Sequence, residues 1–203
     1  MSRIAVVTAG LSEPSSTRLL ADLLAQATAA QLGPDTEIDV IELRPLAHDL
    51  ANAFATGFPA GELAEAIEKV ASADGLIAVT PVFSASYSGL FKMFFDVLDT
   101  GVLDGMPVLV AATAGTARHS LVLDHAMRPM FSYLKAVVVP TGVFAASEDW
   151  GSGGSVVGEL RTRIDKAGGQ LAALVSGRPA GRRTRSLADP FDDVVDFETL
   201  LNS

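Results

Sequence analysis

RIAVVTAGLSEPSSTRLLADLL, residues 3–24, contains a strand, a polar turn and the start of a helix with nothing between them. Arg3–Ala9 is an unbroken apolar run rich in β-branched residues, the pattern of a strand buried on both faces. Thr17–Leu32 sets Leu19, Leu20, Leu23, Leu24 and Ala27 on one stripe at helical spacing, and Gly33–Pro34 stops it. A doubly buried strand feeding an amphipathic helix is the opening of a βαβ unit, whose sheet must be parallel and covered on both sides.

The same alternation continues downstream. Glu37–Leu43 reads as a second, more exposed strand, and Arg44–Ala60 as a long connection holding Pro45, Gly57 and Pro59. Gly61–Ala73 is expected to be a helix, with Leu63, Ile67 and Val70 about a turn apart. Gly75–Thr80 is a buried strand ended by Pro81; the loop Val82–Ser88 and the apolar helix Gly89–Leu98 follow. Pro107–Thr113 is a fourth strand, leading through the loop Ala114–His119 to a helix over Ser120–Leu134 that Pro129 should kink or restart. Ala136–Ala145 is a fifth strand whose Pro140 suits a sheet edge or a bulge. Ser155–Val175 is the last long helix, with Ser155 as its N-cap.

Five strands alternating with helices imply an α/β chain with right-handed crossovers. The expected architecture is a flavodoxin-like three-layer α/β/α sandwich around a five-stranded parallel sheet in the order 2-1-3-4-5. Residues 1–176 form this domain, and 177–203 a compositionally distinct tail. In such a sheet ligands bind beyond the carboxyl ends of the strands, so the loops after strands one, three and four should line one site.

Composition narrows the chemistry. With 203 residues and a net charge of −9, the chain lacks the basic face that a nucleic-acid binder needs. It has no cysteine, so neither a disulfide nor a thiolate nucleophile nor Cys-bound zinc belongs to it. His48, His119 and His125 do not share the spacing of a metal triad. No stretch approaches the roughly twenty apolar residues of a membrane helix, and no signal peptide precedes the first strand, so a soluble cytoplasmic protein is expected.

Gly10-Leu-Ser-Glu-Pro-Ser-Ser-Thr17 brings the hydroxyls of Ser12, Ser15, Ser16 and Thr17 to the start of the first helix. Free N–H groups and the helix dipole favour an anion there. One serine would suffice for capping; four hydroxyl side chains at the first strand–helix turn point to phosphate. The loop has no Walker-A lysine and no G-x-G-x-x-G, which suits a flavin monophosphate better than a nucleoside triphosphate with its magnesium.

With that loop in view, the chain resembles the NADPH-dependent FMN reductase family over residues 3–176. The family's phosphate motif runs like G-S-x-R-x-x-S-x-T, and Gly10–Thr17 stands in its place. Its flavin loop runs like P-E-Y-N-G-S-x-P-G-x-L-K, matched by PVFSASYSGLFK, Pro81–Lys92. Pro81, Ser86, Gly89 and Lys92 keep their types; Phe83 replaces the tyrosine, and Ser84–Ala85 replace Asn–Gly. AGLSEPSSTRLLAD, TPVFSASYSGLFK, AGTARHS and VFAASEDWG are similar to the subgroup that supplies reduced flavin to luciferase-like monooxygenases.

The resemblance implies an NAD(P)H:FMN oxidoreductase with FMN as cofactor and NADPH or NADH as hydride donor. By it, Ser12, Ser15, Ser16 and Thr17 hold the flavin phosphate. Pro81, Val82, Phe83, Ser84, Ala85 and Ser86 border the isoalloxazine, with Phe83 as an apolar wall or as ordinary core packing. Thr113, Ala114, Gly115 and Thr116 approach the pyrimidine edge, and Arg118 and His119 meet the substrate nucleotide or the flavin carbonyls. No side chain is required as an acid or base, because the hydride chemistry belongs to the cofactor. Glu13 stands where many members have arginine, so it cannot supply a cation; Arg18 is either its replacement or an exposed first-turn residue. A homodimer or homotetramer and a monooxygenase partner are further implications. A quinone or azo reductase that keeps FMN bound is the alternative activity, and a flavodoxin-type electron carrier the third reading. The tail carries Phe191, Val194, Val195, Phe197, Leu200 and Leu201, and is expected to dock on its own domain or on a neighbouring subunit.

Overall fold

The computed structural model describes residues 1–151 and 158–177. Its strands are β1 (Ser2–Thr8), β2 (Thr36–Glu42), β3 (Gly75–Phe83), β4 (Ser86–Tyr87), β5 (Pro107–Ala114), β6 (Val137–Val138) and β7 (Val143–Ala146). Strands β2, β1, β3 and β5 pair in parallel in that order, and β6 and β7 both pair with the far edge of β5. This is the expected 2-1-3-4-5 order with its fifth strand in two pieces.

The helices are α1 (Ser16–Leu32), α2 (Ala47–Thr56), α3 (Gly61–Ala71), α4 (Gly89–Asp96), α5 (Arg128–Tyr133) and α6 (Gly158–Ser176). Alternation along the strands divides them into two layers. Ile4, Val6, Ile77, Val79, Leu109 and Ala111 pack with α1 and α6. Ala5, Val7, Leu76, Ala78, Val108 and Val110 pack with α2, α3, α4 and α5. Both faces are thus buried, which is why the central strands are continuously apolar rather than alternating.

Two local expectations change and a third is refined. Arg44–Ala60 is not an irregular connection, because Ala47–Thr56 is helical and Gly57 closes it at φ 80°. Only Leu50 and Ala53 of α2 are buried, so its apolar stripe is too thin to stand out in the sequence. Val82–Ser88 is not an open loop either: β4 folds back antiparallel on β3, pairing Val82 with Tyr87 and Phe83 with Ser86. The helix expected over Ser120–Leu134, with an irregularity at Pro129, does form, and the irregularity is a π turn at Leu123–Met127 that runs directly into α5. Pro129 lies in the first turn of α5, where its missing N–H costs nothing.

Pro140 does sit at the sheet edge, as expected, and it interrupts the fifth strand. Val139 N–H donates to the Val108 carbonyl at 2.9 Å, and ladder pairing resumes only at Val143. Across the gap, Arg128 donates to the carbonyls of Val139 (2.9 Å) and Pro140 (2.5 Å), and Thr141 N–H donates to Gln170 Oε1 (2.9 Å). Side chains from both helical layers therefore satisfy the backbone that the proline removed from the ladder. Ser155 and the tail beyond Gly177 lie outside the described residues.

Candidate flavin site

The sheet register brings three loops to one edge. Thr8 is opposite Val79, Pro81 opposite Thr113, and Ala114 opposite Ala146, so the chain leaves β1, β3 and β5 at neighbouring points. A hydrogen bond of 2.8 Å between the hydroxyls of Thr17 and Thr113 ties the first of these loops to the third. Both threonines are buried, so the tie is shielded from water.

In the first loop, Ser15 is the N-cap of α1, its Oγ accepting from Arg18 N–H at 3.2 Å. The Ser12 hydroxyl donates to the Pro14 carbonyl (3.1 Å), while Ser16 is exposed at the first helical position. The N–H groups of Ser16 and Thr17 have no partner within the helix, as at any N-terminus. Gly10 is required by contact: a Cβ there would lie 2.2 Å from Ser15 Oγ. The turn can close over its own cap only because that atom is missing.

Outside this turn lies a groove of about 620 Å³ whose walls include Thr8, Ser12, Ser15, Arg18, Glu42 and Arg44. Arg18 is half-buried rather than exposed, and it already bonds Asp22 (2.9 Å) and Glu42. The hydrogen bond to Asp22, helped by attraction to both carboxylates, holds its guanidinium above the usual arginine pKa although partial burial opposes this. Glu13 points to solvent and meets Arg44 at 3.3 Å. Arg44 and Glu42 come from the end of β2, far from the loop in sequence, and no local motif marks them.

The second loop is the β3–β4 hairpin. Ser84 and Ala85 at its tip have φ of 48° and 68°, the left-handed region that side chains avoid. Thr80 anchors its base, donating to the Pro81 carbonyl (2.9 Å) and accepting from Ser88 N–H (3.0 Å). Ser88 in turn caps α4 through Phe91 N–H (3.2 Å). Phe83 is 47% exposed, so its ring is not part of the core. Lys92 turns aside to Asp96 (2.6 Å).

In the third loop Thr113 is buried, Ala114 half-buried, and Gly115 and Thr116 exposed. Gly115 is not left-handed, and a Cβ there would meet nothing within 4 Å, so it leaves open room beside the backbone. Arg118 and His119 are exposed in a short 3-10 turn beyond it.

Residues 2–151 match the family described as NADPH-dependent FMN reductase. The chain is 40% identical over 178 residues to an FMN reductase (NADPH) of Pseudomonas aeruginosa, covering 87% of this chain and 94% of the relative. It is 36% identical over 174 residues to the NADH-dependent FMN reductase SfnF of Pseudomonas fluorescens, covering 85% and 91%. Among solved structures, an oxidoreductase from Corynebacterium diphtheriae superposes with a TM-score of 0.83 at 50% identity, covering 88% of this chain and 99% of the other. This chain belongs to the NADPH-dependent FMN reductase family.

Proposed function

We propose that this chain transfers hydride from a reduced nicotinamide nucleotide to FMN bound at the carboxyl ends of β1, β3 and β5. The observation that carries the reading is the joining of the three loops at one edge, with Thr17 and Thr113 bonded across it. The residues present suit a phosphate: the turn closes over Gly10, and the buried Thr8 hydroxyl beside it has no hydrogen-bond partner among the described residues.

Ser12, Ser15 and Ser16 would hold the phosphate through their hydroxyls, and Ser16 and Thr17 through first-turn N–H groups at the positive end of α1. The Thr17 side chain is committed to Thr113, so its part in the cradle is to brace it. Pro81–Ser86 would border the ring with Phe83 as its wall, and Thr113–Thr116 would meet the pyrimidine edge. Arg118 and His119, exposed and without an ion pair among the described residues, are the groups that would greet an incoming nucleotide. FMN, when bound, supplies the chemistry by accepting the hydride.

Relatives bearing NADPH and NADH in their names stand at 40% and 36% identity, so both donors belong in the test. Oxidation of NADPH and of NADH is measured with free FMN and then with a quinone in its place. Turnover that saturates with FMN supports the reading; turnover with quinone alone favours the reductase with retained FMN, and none with either favours an electron carrier. We further propose a cytoplasmic homo-oligomer that hands reduced flavin to a monooxygenase. Tyr133 (86% exposed) and Leu121 (62%) are large side chains left open to solvent, and they motivate the oligomer reading. The tail, residues 177–203, is proposed to cover apolar surface of its own subunit or a neighbour.

A further inference from the structure

Thr8 ends β1 beneath the phosphate turn, and we infer that its hydroxyl donates to the bound phosphate, a ligand that the loop motif does not contain. This rests on the flavin-site reading above. Six polar side chains are buried among the described residues: Thr8, Thr17, Thr28, Thr80, Ser88 and Thr113. Five of them are hydrogen-bonded within the protein. Thr17 and Thr113 bond each other, Thr80 and Ser88 fasten the hairpin to α4, and Thr28 donates to the Leu24 carbonyl. Thr8 Oγ1 has no partner among the described residues, although the residue is only 2% exposed.

An unmet buried hydroxyl lowers stability, and a nearly isosteric valine would avoid the loss. Valine and isoleucine are what the rest of this strand face uses, at Ile4 and Val6. Alternation puts the Thr8 side chain on that same face, toward α1, whose N-terminus carries the free N–H groups. Thr8 also walls the groove together with Gly10, Ser12 and Ser15. A donor with no acceptor among the described residues, on a residue that walls the groove beside a helix N-terminus, is matched by a ligand oxygen. The phosphate is the ligand group that the cradle is built to take.

Thr8→Val tests the assignment, with FMN and riboflavin titrated against the full chain by flavin fluorescence. The expected result is about a ten- to a hundredfold weaker affinity for FMN, the loss typical of a hydrogen bond to a charged group. Riboflavin affinity stays unchanged, the apo melting temperature holds or rises, and Thr8→Ser keeps the preference for FMN. Unchanged FMN affinity in Thr8→Val, with a loss in Ser16→Ala, would overturn the role of Thr8 and leave the site reading standing. Equal losses for FMN and riboflavin, or a lowered apo melting temperature, would also overturn it by making Thr8 structural. If neither Thr8→Val nor Ser16→Ala separates FMN from riboflavin, the phosphate site itself is refuted, and this role with it.

Discussion

Relieving the tip of the β3–β4 hairpin should make the protein more stable and its flavin site worse. Ser84 and Ala85 both lie in the left-handed region, where an L residue costs about 1–2 kcal/mol and where hairpins favour Asn-Gly. Ala85→Gly removes that cost at one position. It adds back about 0.4–1 kcal/mol, because glycine has more freedom to lose on folding. The net gain is about 0.5–1 kcal/mol, which for a chain of this size raises the melting temperature by about 1–4 °C. Ala64→Gly, on the exposed side of α3, provides the contrast: there glycine costs about 1 kcal/mol, lowering the midpoint by about 2–4 °C. Thermal unfolding of the apo protein followed by circular dichroism measures both. FMN titration supplies the second readout, since a looser tip positions Phe83 and Ser86 less well and should weaken binding. The reasoning is refuted if Ala85→Gly lowers the melting temperature as Ala64→Gly does, because residue 85 would then have no strain to release.

Two adjacent glycines in α6 should respond with opposite signs. A Cβ at Gly168 would lie 2.9 Å from Ala27 Cβ and 3.0 Å from the α1 backbone, so Gly168→Ala pushes the two helices apart and costs about 1–3 kcal/mol despite better helix propensity. A Cβ at Gly169 would meet nothing within 4 Å, so Gly169→Ala should stabilise by up to about 1 kcal/mol; chemical denaturation of both variants checks the pair. Thr113→Val strands the buried Thr17 hydroxyl and should cost about 1–3 kcal/mol, whereas adding Thr17→Val should recover much of that loss. A double-mutant cycle showing simple additivity would contradict that bond.

The elements legible in the sequence are those whose cause is local. Ile4–Val7 and Val108–Ala112 are apolar throughout because sheet neighbours and two helical layers cover them, and that coverage leaves an unbroken pattern. Pro140 and Pro129 announced their breaks through the missing N–H. Helix α2 escaped notice because two buried residues make no stripe, and β4 because a two-residue strand has no period. The hairpin was further disguised by Ser84–Ala85, which adopt the turn geometry of Asn-Gly without its residues. The site divides along the same line. Its serines cluster in one turn and could be read there, while Arg44, Glu42 and Thr8 join it through the β1–β2 pairing and the groove. Thr17 was legible as part of the turn, but its partner Thr113 lies 96 residues away.

Those distant residues alter the electrostatic account of the site. Arg18 and Arg44 wall the groove, but so do Glu13, Asp22 and Glu42, and both arginines are already paired with these carboxylates. Two cations against three anions leave the groove with a formal charge of −1. A phosphate dianion held there cannot rely on a surplus of positive side chains. Neutral donors must carry the interaction: the serine hydroxyls, the first-turn N–H groups and, by the inference above, Thr8. Short-range bonds of this kind are screened far less by salt than a surface field would be. Among the described residues that wall the groove, the helix terminus supplies the only positive potential not already neutralised by a neighbouring carboxylate, and it reaches little beyond the first turn. On the proposed reading the cradle would recognise a phosphate seated against α1, and neither arginine that walls the groove is left unpaired for a second phosphate further out. On the same reading, selection between NADPH and NADH is made outside this groove, and we propose the exposed Arg118 of the third loop as the cation that makes it.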